Sequence, residues 1–323
     1  MSKGSFPEIP RRPGALRGAP LAVSLAGVAA AGLAGWLMWD TGGDSGDGAK
    51  HPVGAASATK APAPSAPKPP ASPSSPAPGK PSGSPSQKPS PADDGPLPDG
   101  PLKGKVVVVD PGHNIRNSQH TAEINRSVDI GTGHKECDTT GTSTDSGYAE
   151  AAFSLDVAHR LRTILRAQGA QVTFTHDGDR PYGPCVTERA EIGNKARADA
   201  AVSIHADGSA VGNRGFHVIL PAAVRGGRAD TGPIVGPSKE LGARIAGKFV
   251  QATGSAPSNY IGDKTALDER GDLGGLNLST VPKVFIECGN MRDPQDAALL
   301  TDGAWRQKAA QGIANGITDF LRG

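Results

Sequence analysis

The chain has 323 residues and a formal net charge of +2, with 29 prolines and three cysteines. It has no lysine- and arginine-rich stripe of the kind that binds nucleic acid, so nucleic acid is not expected as a partner. Fourteen of the prolines fall between residues 61 and 100. The composition therefore separates an N-terminal part from one domain of ordinary composition, which is long enough to bury a sizeable core.

The N-terminal part contains a segment with the composition of a membrane span. Residues 1–20 carry four basic side chains, and residues 21–39 are uncharged and mostly apolar. A helix of about 19 residues spans roughly 28 Å, close to the thickness of a bilayer core. Basic residues before the segment and acidic residues after it predict a cytoplasmic N-terminus and an extracytoplasmic remainder. We favour a retained transmembrane anchor, and a cleaved signal sequence is the alternative.

Residues 40–102 are predicted to form a disordered linker. They are rich in proline, alanine and serine, and they lack the apolar surface that would offset the entropy lost on ordering. Their proline content favours extended, semi-rigid segments. We therefore expect this linker to hold the domain of residues 103–323 at a distance from the membrane.

Strand and helix signals alternate along residues 103–323. The predicted order is strand 105–109, helix 148–168, strand 171–175, helix 187–198, strand 200–204, strand 216–220, helix 238–253, strand 283–287 and helix 305–321. The strands are short β-branched apolar runs, and the helices show apolar side chains at helical spacing. This order predicts a three-layer α/β/α domain with a mostly parallel sheet. Residues 221–237, rich in glycine, alanine and proline, are predicted to form a loop.

Polar side chains stand where three of these strands end. His113 follows the first strand, His205 follows the strand of residues 200–204, and Glu287 ends the last strand. Glu150 lies in the first turn of the first helix, at the head of its apolar stripe. Because ligands bind beyond the carboxyl ends of the strands in an open α/β sheet, we expect these four residues to converge.

Two histidines and a carboxylate are a ligand set typical of catalytic zinc, which takes three protein ligands and keeps one position for water. His113, Glu150 and His205 are therefore the predicted Zn²⁺ ligands. Glu287 is the predicted catalytic carboxylate, which would take a proton from that water. Five further histidines compete for these roles, because spacing alone does not exclude them. They are His120, His134, His159, His176 and His217.

Four sequence blocks together resemble a known family. In chain order they read VVVDPGHN, GYAEAAFSLDVAHRLRTIL, ADAAVSIHADGS and VFIECGNMRDPQDAALL. They resemble the signature blocks of the zinc-dependent N-acetylmuramoyl-L-alanine amidases of the third amidase class, over roughly residues 103–323. The resemblance implies that His113, Glu150 and His205 bind zinc and that Glu287 is catalytic. It also implies a peptidoglycan substrate, cleaved at the amide bond between N-acetylmuramic acid and L-alanine on the cell-wall side of the membrane.

Several positions depart from the family pattern or need a separate interpretation. His176 stands where many members carry arginine, and Asp207 stands where asparagine is common. An insert at residues 114–148 is similar to the loop of cysteine-containing actinobacterial members and could shape the substrate groove. Arg189 and Asn194 match an arginine and an asparagine usual in the family, and we interpret both as structural. These departures bear on substrate preference rather than on the reaction.

The three cysteines predict one disulfide bond. Cys137 and Cys185 both lie in polar, loop-like sequence, so we pair them, and their pairing in an extracytoplasmic domain is chemically permitted. Cys288 lies at an apolar strand end and is expected to be a free buried thiol. The sequence alone leaves the other pairings open.

Two other functions remain open beside the amidase. One is a non-catalytic module that binds peptidoglycan or activates another hydrolase, and the other is a zinc peptidase that cuts the stem peptide. The complete set of four polar residues argues against the first, and only product analysis separates the second. We expect a monomer that is attached to the membrane through residues 21–39.

Overall fold

The computed structural model describes residues 95–323. The predicted anchor and most of the predicted linker lie outside this part of the chain. The strands are β1 Val106–Pro111, β2 Ser127–Asp129, β3 His134–Glu136, β4 Gln171–Phe174, β5 Ala200–Asp207, β6 His217–Pro221, β7 Arg225–Gly226, β8 Ala229–Asp230, β9 Leu267–Arg270 and β10 Lys283–Asn290. The α-helices are α1 Thr121–Ile124, α2 Glu150–Ala167, α3 Val186–Ala196, α4 Gly232–Thr253, α5 Gly274–Asn277, α6 Pro294–Thr301 and α7 Gly303–Arg322.

Six strands form the central sheet in the order β4-β1-β5-β10-β6-β9. The four strands from β4 to β10 are parallel, as predicted, and β9 is parallel to β6. Strand β6 runs antiparallel to β10. It therefore begins at the edge where β1, β5 and β10 end, and this brings His217, its first residue, opposite Glu287.

The two faces of the sheet differ in chemistry. On one face, Ile204 and Ile286 belong to the main core, which the sheet shares with α2, α4 and α7. The other face, covered by α3 and α5, carries polar side chains along the same strands. Because side chains alternate along a strand, His205 and Glu287 point to this second face. The predicted helix–sheet–helix layering is thus present, with the polar residues on the side of α3 and α5.

Helix α2 shows why the first predicted helix forms and ends where it does. Phe153, Val157, Leu161 and Leu165 recur every four residues, and all four side chains are fully buried in the main core. Burial of each such side chain contributes about 1.5–3 kcal/mol. Gly169 follows the helix with φ +91°, a left-handed conformation that suits glycine after a helix end. The packing of this stripe fixes the position of Glu150 at the first turn.

The prediction of a loop at residues 221–237 and of a helix start at Ser238 is wrong. Helix α4 begins at Gly232, and the short hairpin β7–β8 precedes it. Pro233 lies in the first turn, where a missing N–H costs nothing, and Pro237 is accommodated one turn later. Ser238 does not cap the helix; its hydroxyl accepts a hydrogen bond from the Lys283 amide.

The packed domain begins slightly before residue 103. Leu102 is fully buried in the main core, and its amide donates to the Gln168 carbonyl. Residues 95–102 were predicted as part of the linker. They therefore include part of the folded domain. Within residues 95–323, no helix combines the length and the apolar character that a membrane span needs.

Candidate active site

Three side chains from separate segments meet at the carboxyl edge of the sheet. His113 follows β1, Glu150 opens α2, and His205 lies near the end of β5. Glu150 Oε1 is 3.1 Å from His113 Nε2 and 2.9 Å from His205 Nδ1. One ligand atom from each residue lies within 4.8 Å of the others. The structure thus brings together the three residues that the sequence predicts as ligands.

Position 112 is a glycine, which leaves space for the His205 ring. The Gly112 amide donates to the Ile204 carbonyl, so β1 and β5 remain paired up to the site. A Cβ atom at position 112 would lie only 2.6 Å from His205 Nε2, inside the van der Waals distance. The next residue, His113, adopts φ +60°, which turns its ring toward Glu150. The local backbone therefore gives both histidines their orientation.

Residues around the cluster hold the three candidate ligands through a second set of contacts. His113 Nδ1 lies 3.1 Å from the Thr139 carbonyl, which accepts the Nδ1 proton and leaves Nε2 free for a metal. The Thr142 amide donates to Glu150 Oε2 at 2.9 Å. The His205 ring stacks on Phe285 with a centroid separation of 5.2 Å. Backbone groups and one aromatic ring thus fix all three side chains.

The donor set fits zinc. Two imidazoles and one carboxylate are ligands that zinc takes in catalytic sites, and here they are buried or nearly buried at one point. Burial alone would raise the pKa of Glu150, but His113 and His205 outweigh it and hold this pKa well below its usual range. Burial would lower the pKa of His113, and Glu150 and Asp138 raise it instead. The site therefore concentrates an ionised carboxylate between two imidazoles.

Glu287 lies beside this cluster, and its pKa is shifted in the opposite direction to that of Glu150. It pairs in register with His205 on the neighbouring strand, so both side chains lie on the same face of the sheet. Burial, together with the charges of Glu150 and Asp207, raises its pKa well above the usual range. Its Oε2 atom is buried and has no hydrogen-bond partner among residues 95–323. A carboxyl group with a raised pKa and one buried oxygen can both accept and return a proton.

Comparison with known proteins agrees with this geometry. The family model for N-acetylmuramoyl-L-alanine amidases matches residues 107–319. The chain belongs to this family of peptidoglycan hydrolases. An N-acetylmuramoyl-L-alanine amidase of Mycobacterium tuberculosis is 42% identical over 221 residues, which make up 68% of this chain and 88% of that relative.

Solved amidase structures have the same fold. The crystal structures of N-acetylmuramyl-L-alanine amidases from Mycobacterium smegmatis and Mycobacterium abscessus are 40% and 39% identical to this chain, with TM-scores of 0.62 and 0.63. Each covers 68% of this chain, and the matches span 98% and 100% of those proteins. An amidase of Nostoc punctiforme, 21% identical with a TM-score of 0.51, shows the shared fold alone.

A buried charge network lies next to the candidate site and centres on Asp110 and Arg189. Asp110 is fully buried and accepts hydrogen bonds from Arg189 at 2.7 Å and from Lys283 at 3.2 Å. Burial would raise the pKa of Asp110, but these two cations outweigh it and hold the pKa far below its usual range. Arg189 also donates to Asp138 and to the His113 carbonyl. Arg189 therefore has the predicted structural role, because it connects the sheet to the loop around His113.

We expect Arg189→Met to lower the free energy of unfolding by about 3–5 kcal/mol, because it leaves the buried carboxylates of Asp110 and Asp138 short of a counter-charge. Urea denaturation of the purified protein measures this loss. Arg225→Met is the matched control, since the Arg225 side chain is 85% exposed and its pair with Asp230 contributes about 0–1 kcal/mol. Equal stability of the two variants would contradict a supporting role for the network.

Asn194 has a structural role as well. Its side-chain amide donates to the Leu278 carbonyl at 2.8 Å, and its oxygen accepts from the Thr280 amide at 2.8 Å. These bonds join α3 to the segment that leads from α5 into β10. Asn194 therefore helps to place the strand that carries Glu287.

The five competing histidines lie outside the three-residue cluster. His120 and His159 pair with Glu123 and Asp177 at the surface, and His134 is exposed on β3. His176 is buried, and its Nε2 lies 3.0 Å from the Pro111 carbonyl. This contact gives a structural reason for the departure at position 176. His217 is also outside the cluster, but it lies directly opposite Glu287 in the sheet.

The predicted disulfide bond is confirmed. Cys137 and Cys185 are joined, with their Cα atoms 4.3 Å apart, and the buried Cys288 is a free thiol. The bond links the insert to the start of α3. Cys137 directly precedes Asp138 and Thr139, which contact the His113 ring. The disulfide therefore anchors the part of the insert that contacts the His113 ring.

Removing this bond with the double substitution Cys137→Ala and Cys185→Ala should lower the free energy of unfolding by about 2–4 kcal/mol, because the unfolded chain regains the freedom of a 48-residue loop. Denaturation with and without a reductant tests this. The reductant should destabilise the wild type by a similar amount and leave the double variant unchanged. A wild type that is indifferent to the reductant would show that the bond adds no stability.

Proposed function

We propose that this chain hydrolyses the amide bond between N-acetylmuramic acid and L-alanine in peptidoglycan, with His113, Glu150 and His205 as zinc ligands and Glu287 as the acid–base group. The convergence of these ligands beside a carboxyl group with a raised pKa carries the proposal. Membership of the amidase family supports the same bond as the target.

A bound zinc ion supplies a Lewis acid that lowers the pKa of water and polarises a carbonyl group. The protein supplies the rest. Glu287 takes a proton from the water molecule that attacks the scissile carbonyl carbon, and it returns this proton to the nitrogen of L-alanine as the C–N bond breaks. The products are a muramic acid with a free lactyl carboxylate and a peptide with a free amine. General acid–base catalysis of this kind raises the reaction rate by about 10²–10⁴-fold.

A cleft beside the ligands offers room for part of the substrate. It has a volume of about 420 Å³. Its walls come from the insert of residues 114–148 and the start of α2. The lining residues are Asn114, Ile115, Ser118, Thr140, Gly141, Thr142, Ser143, Ala149 and Ala151. Since Thr142 also bonds Glu150, the insert shapes the cleft and holds a ligand at the same time. We place the muramoyl-peptide along this wall.

We also propose where the enzyme acts. Residues 21–39 would anchor the chain in the cell membrane, or would be removed as a signal sequence, and residues 40–102 would let the domain reach the cell wall. The Cys137–Cys185 bond is consistent with an oxidising, extracytoplasmic setting. We propose that the domain works as a monomer.

Mass spectrometry of digested peptidoglycan tests the proposed reaction. The expected products are stem peptides with a free L-alanine amine and glycan strands with free lactyl groups. A cut between two amino acids of the stem would assign the site to a peptidase instead. Binding without any new chain ends would point to a non-catalytic peptidoglycan-binding module.

A further inference from the structure

One histidine that the proposed reaction does not use lies next to Glu287. His217 opens β6, and the antiparallel register of β6 and β10 sets it directly opposite Glu287. Side chains of directly opposed residues share one face of the sheet, with Cβ atoms about 4.5–5.5 Å apart. Glu287 also pairs with His205 on its other side. The three strands therefore carry a row of His205, Glu287 and His217.

Glu287 and His217 each have a buried atom without a partner. These are Glu287 Oε2 and His217 Nδ1, and neither has a hydrogen-bond partner within residues 95–323. The His217 side chain is almost completely buried. Buried polar atoms in proteins are nearly always paired, so each unpaired atom calls for an explanation. Here one atom is a carboxylate acceptor and its cross-strand neighbour is an imidazole nitrogen that can donate.

The surroundings of His217 favour the neutral imidazole and restrict the movement of its ring. Burial is the main cause that lowers the pKa of His217, against the opposing charges of Asp207 and Asp268. Tyr260 packs edge-on against the ring, with centroids 6.1 Å apart, and its hydroxyl donates to Asp207 at 2.6 Å. A neutral imidazole carries one N–H, which can lie on Nδ1. The terminal torsions of histidine and glutamate side chains are broad, so the two groups can turn toward each other across the paired strands.

We propose that His217 is a positioning residue for Glu287, and that its Nδ1–H donates a hydrogen bond to Glu287 Oε2 in the working site. This bond would hold one carboxylate oxygen and leave Oε1 to face the attacking water. The inference rests on the proposed role of Glu287 as the acid–base group.

Two substitutions at position 217 separate the hydrogen bond from simple packing. His217→Phe keeps a planar ring and removes the donor, whereas His217→Asn keeps an N–H donor near the position of Nδ1. With a soluble muramoyl-peptide as substrate, we expect His217→Phe to lower kcat by about 10–100-fold, with KM and zinc content unchanged. His217→Asn should recover most of the lost kcat. His159→Phe, on the outer side of α2, is the control and should behave like the wild type.

A double variant provides the decisive readout. If His217 acts through Glu287, His217→Phe should have almost no further effect on kcat in a Glu287→Gln background. Full activity of His217→Phe, an equal loss in both backgrounds, or a failure of His217→Asn to restore kcat would each overturn the inference. If the wild type released no lactyl groups, the proposed function itself would fail. A wild-type rate in His217→Phe, with Glu287→Gln impaired, would remove only the role of His217.

Discussion

Glu287→Gln should lower kcat for muramoyl-peptide hydrolysis by about 10²–10⁴-fold, because glutamine keeps the shape of the side chain but cannot take a proton from water. Zinc content and the unfolding midpoint should remain close to those of the wild type, since Glu287 is not among the three clustered ligands. Steady-state kinetics with elemental analysis of the same sample measures both quantities. Because Glu287 would act on the attacking water and not in substrate binding, the loss should appear in kcat rather than in KM.

Glu191→Gln is the matched control for this substitution. Glu191 lies on α3 with its side chain 59% exposed, and it pairs with Lys195 one turn away. We expect this variant to keep full activity. A Glu287→Gln protein that hydrolyses the substrate at the wild-type rate would remove Glu287 from the chemistry and leave the acid–base group unassigned.

Gly112→Ala should weaken zinc binding by at least about 10–100-fold although it changes no ligand. The added Cβ would overlap the His205 ring, lying 2.6 Å from Nε2. The β1–β5 pairing holds the backbone at this point, so the ring has to move away from Glu150. Titration of the protein with zinc against a competing chelator gives the change in affinity.

The insert offers a control for the glycine substitution. A Cβ at Gly133, in the hairpin between β2 and β3, would meet no atom within 4 Å. Gly133→Ala should therefore bind zinc like the wild type. If the wild type and Gly112→Ala bound zinc equally tightly, the orientation of His205 would not depend on the space that Gly112 leaves free.

The convergence of the ligands could be predicted because it depends on local signals and one topological rule. Short β-branched runs marked β1, β5 and β10, and parallel strands end at one edge of a sheet. His113, His205 and Glu287 follow from that rule. The stripe that begins at Phe153 placed Glu150 at the head of α2 in the same way. The disulfide could also be predicted, because Cys137 and Cys185 lie in polar, loop-like sequence whereas Cys288 lies at an apolar strand end.

Other parts of the site depend on contacts between distant segments, which a single sequence does not show. The Thr139 carbonyl reaches His113 across 26 residues, and Lys283 reaches Asp110 across 173. The position of His217 follows from the reversed direction of β6, which its own short apolar run cannot reveal. The sequence does not predict the helix start before Ser238, because proline usually indicates a loop. A proline fits into a helix when it lies within the first turns, and the sequence does not show where those turns are.

Zinc stoichiometry in the wild type and in His205→Ala tests the central claim most directly, because a catalytic zinc site requires all three ligands. Elemental analysis after dialysis should give about one zinc per chain for the wild type and almost none for His205→Ala, with both proteins folded by circular dichroism. Equal zinc content in the two proteins would contradict the assignment of His113, Glu150 and His205 as the metal centre.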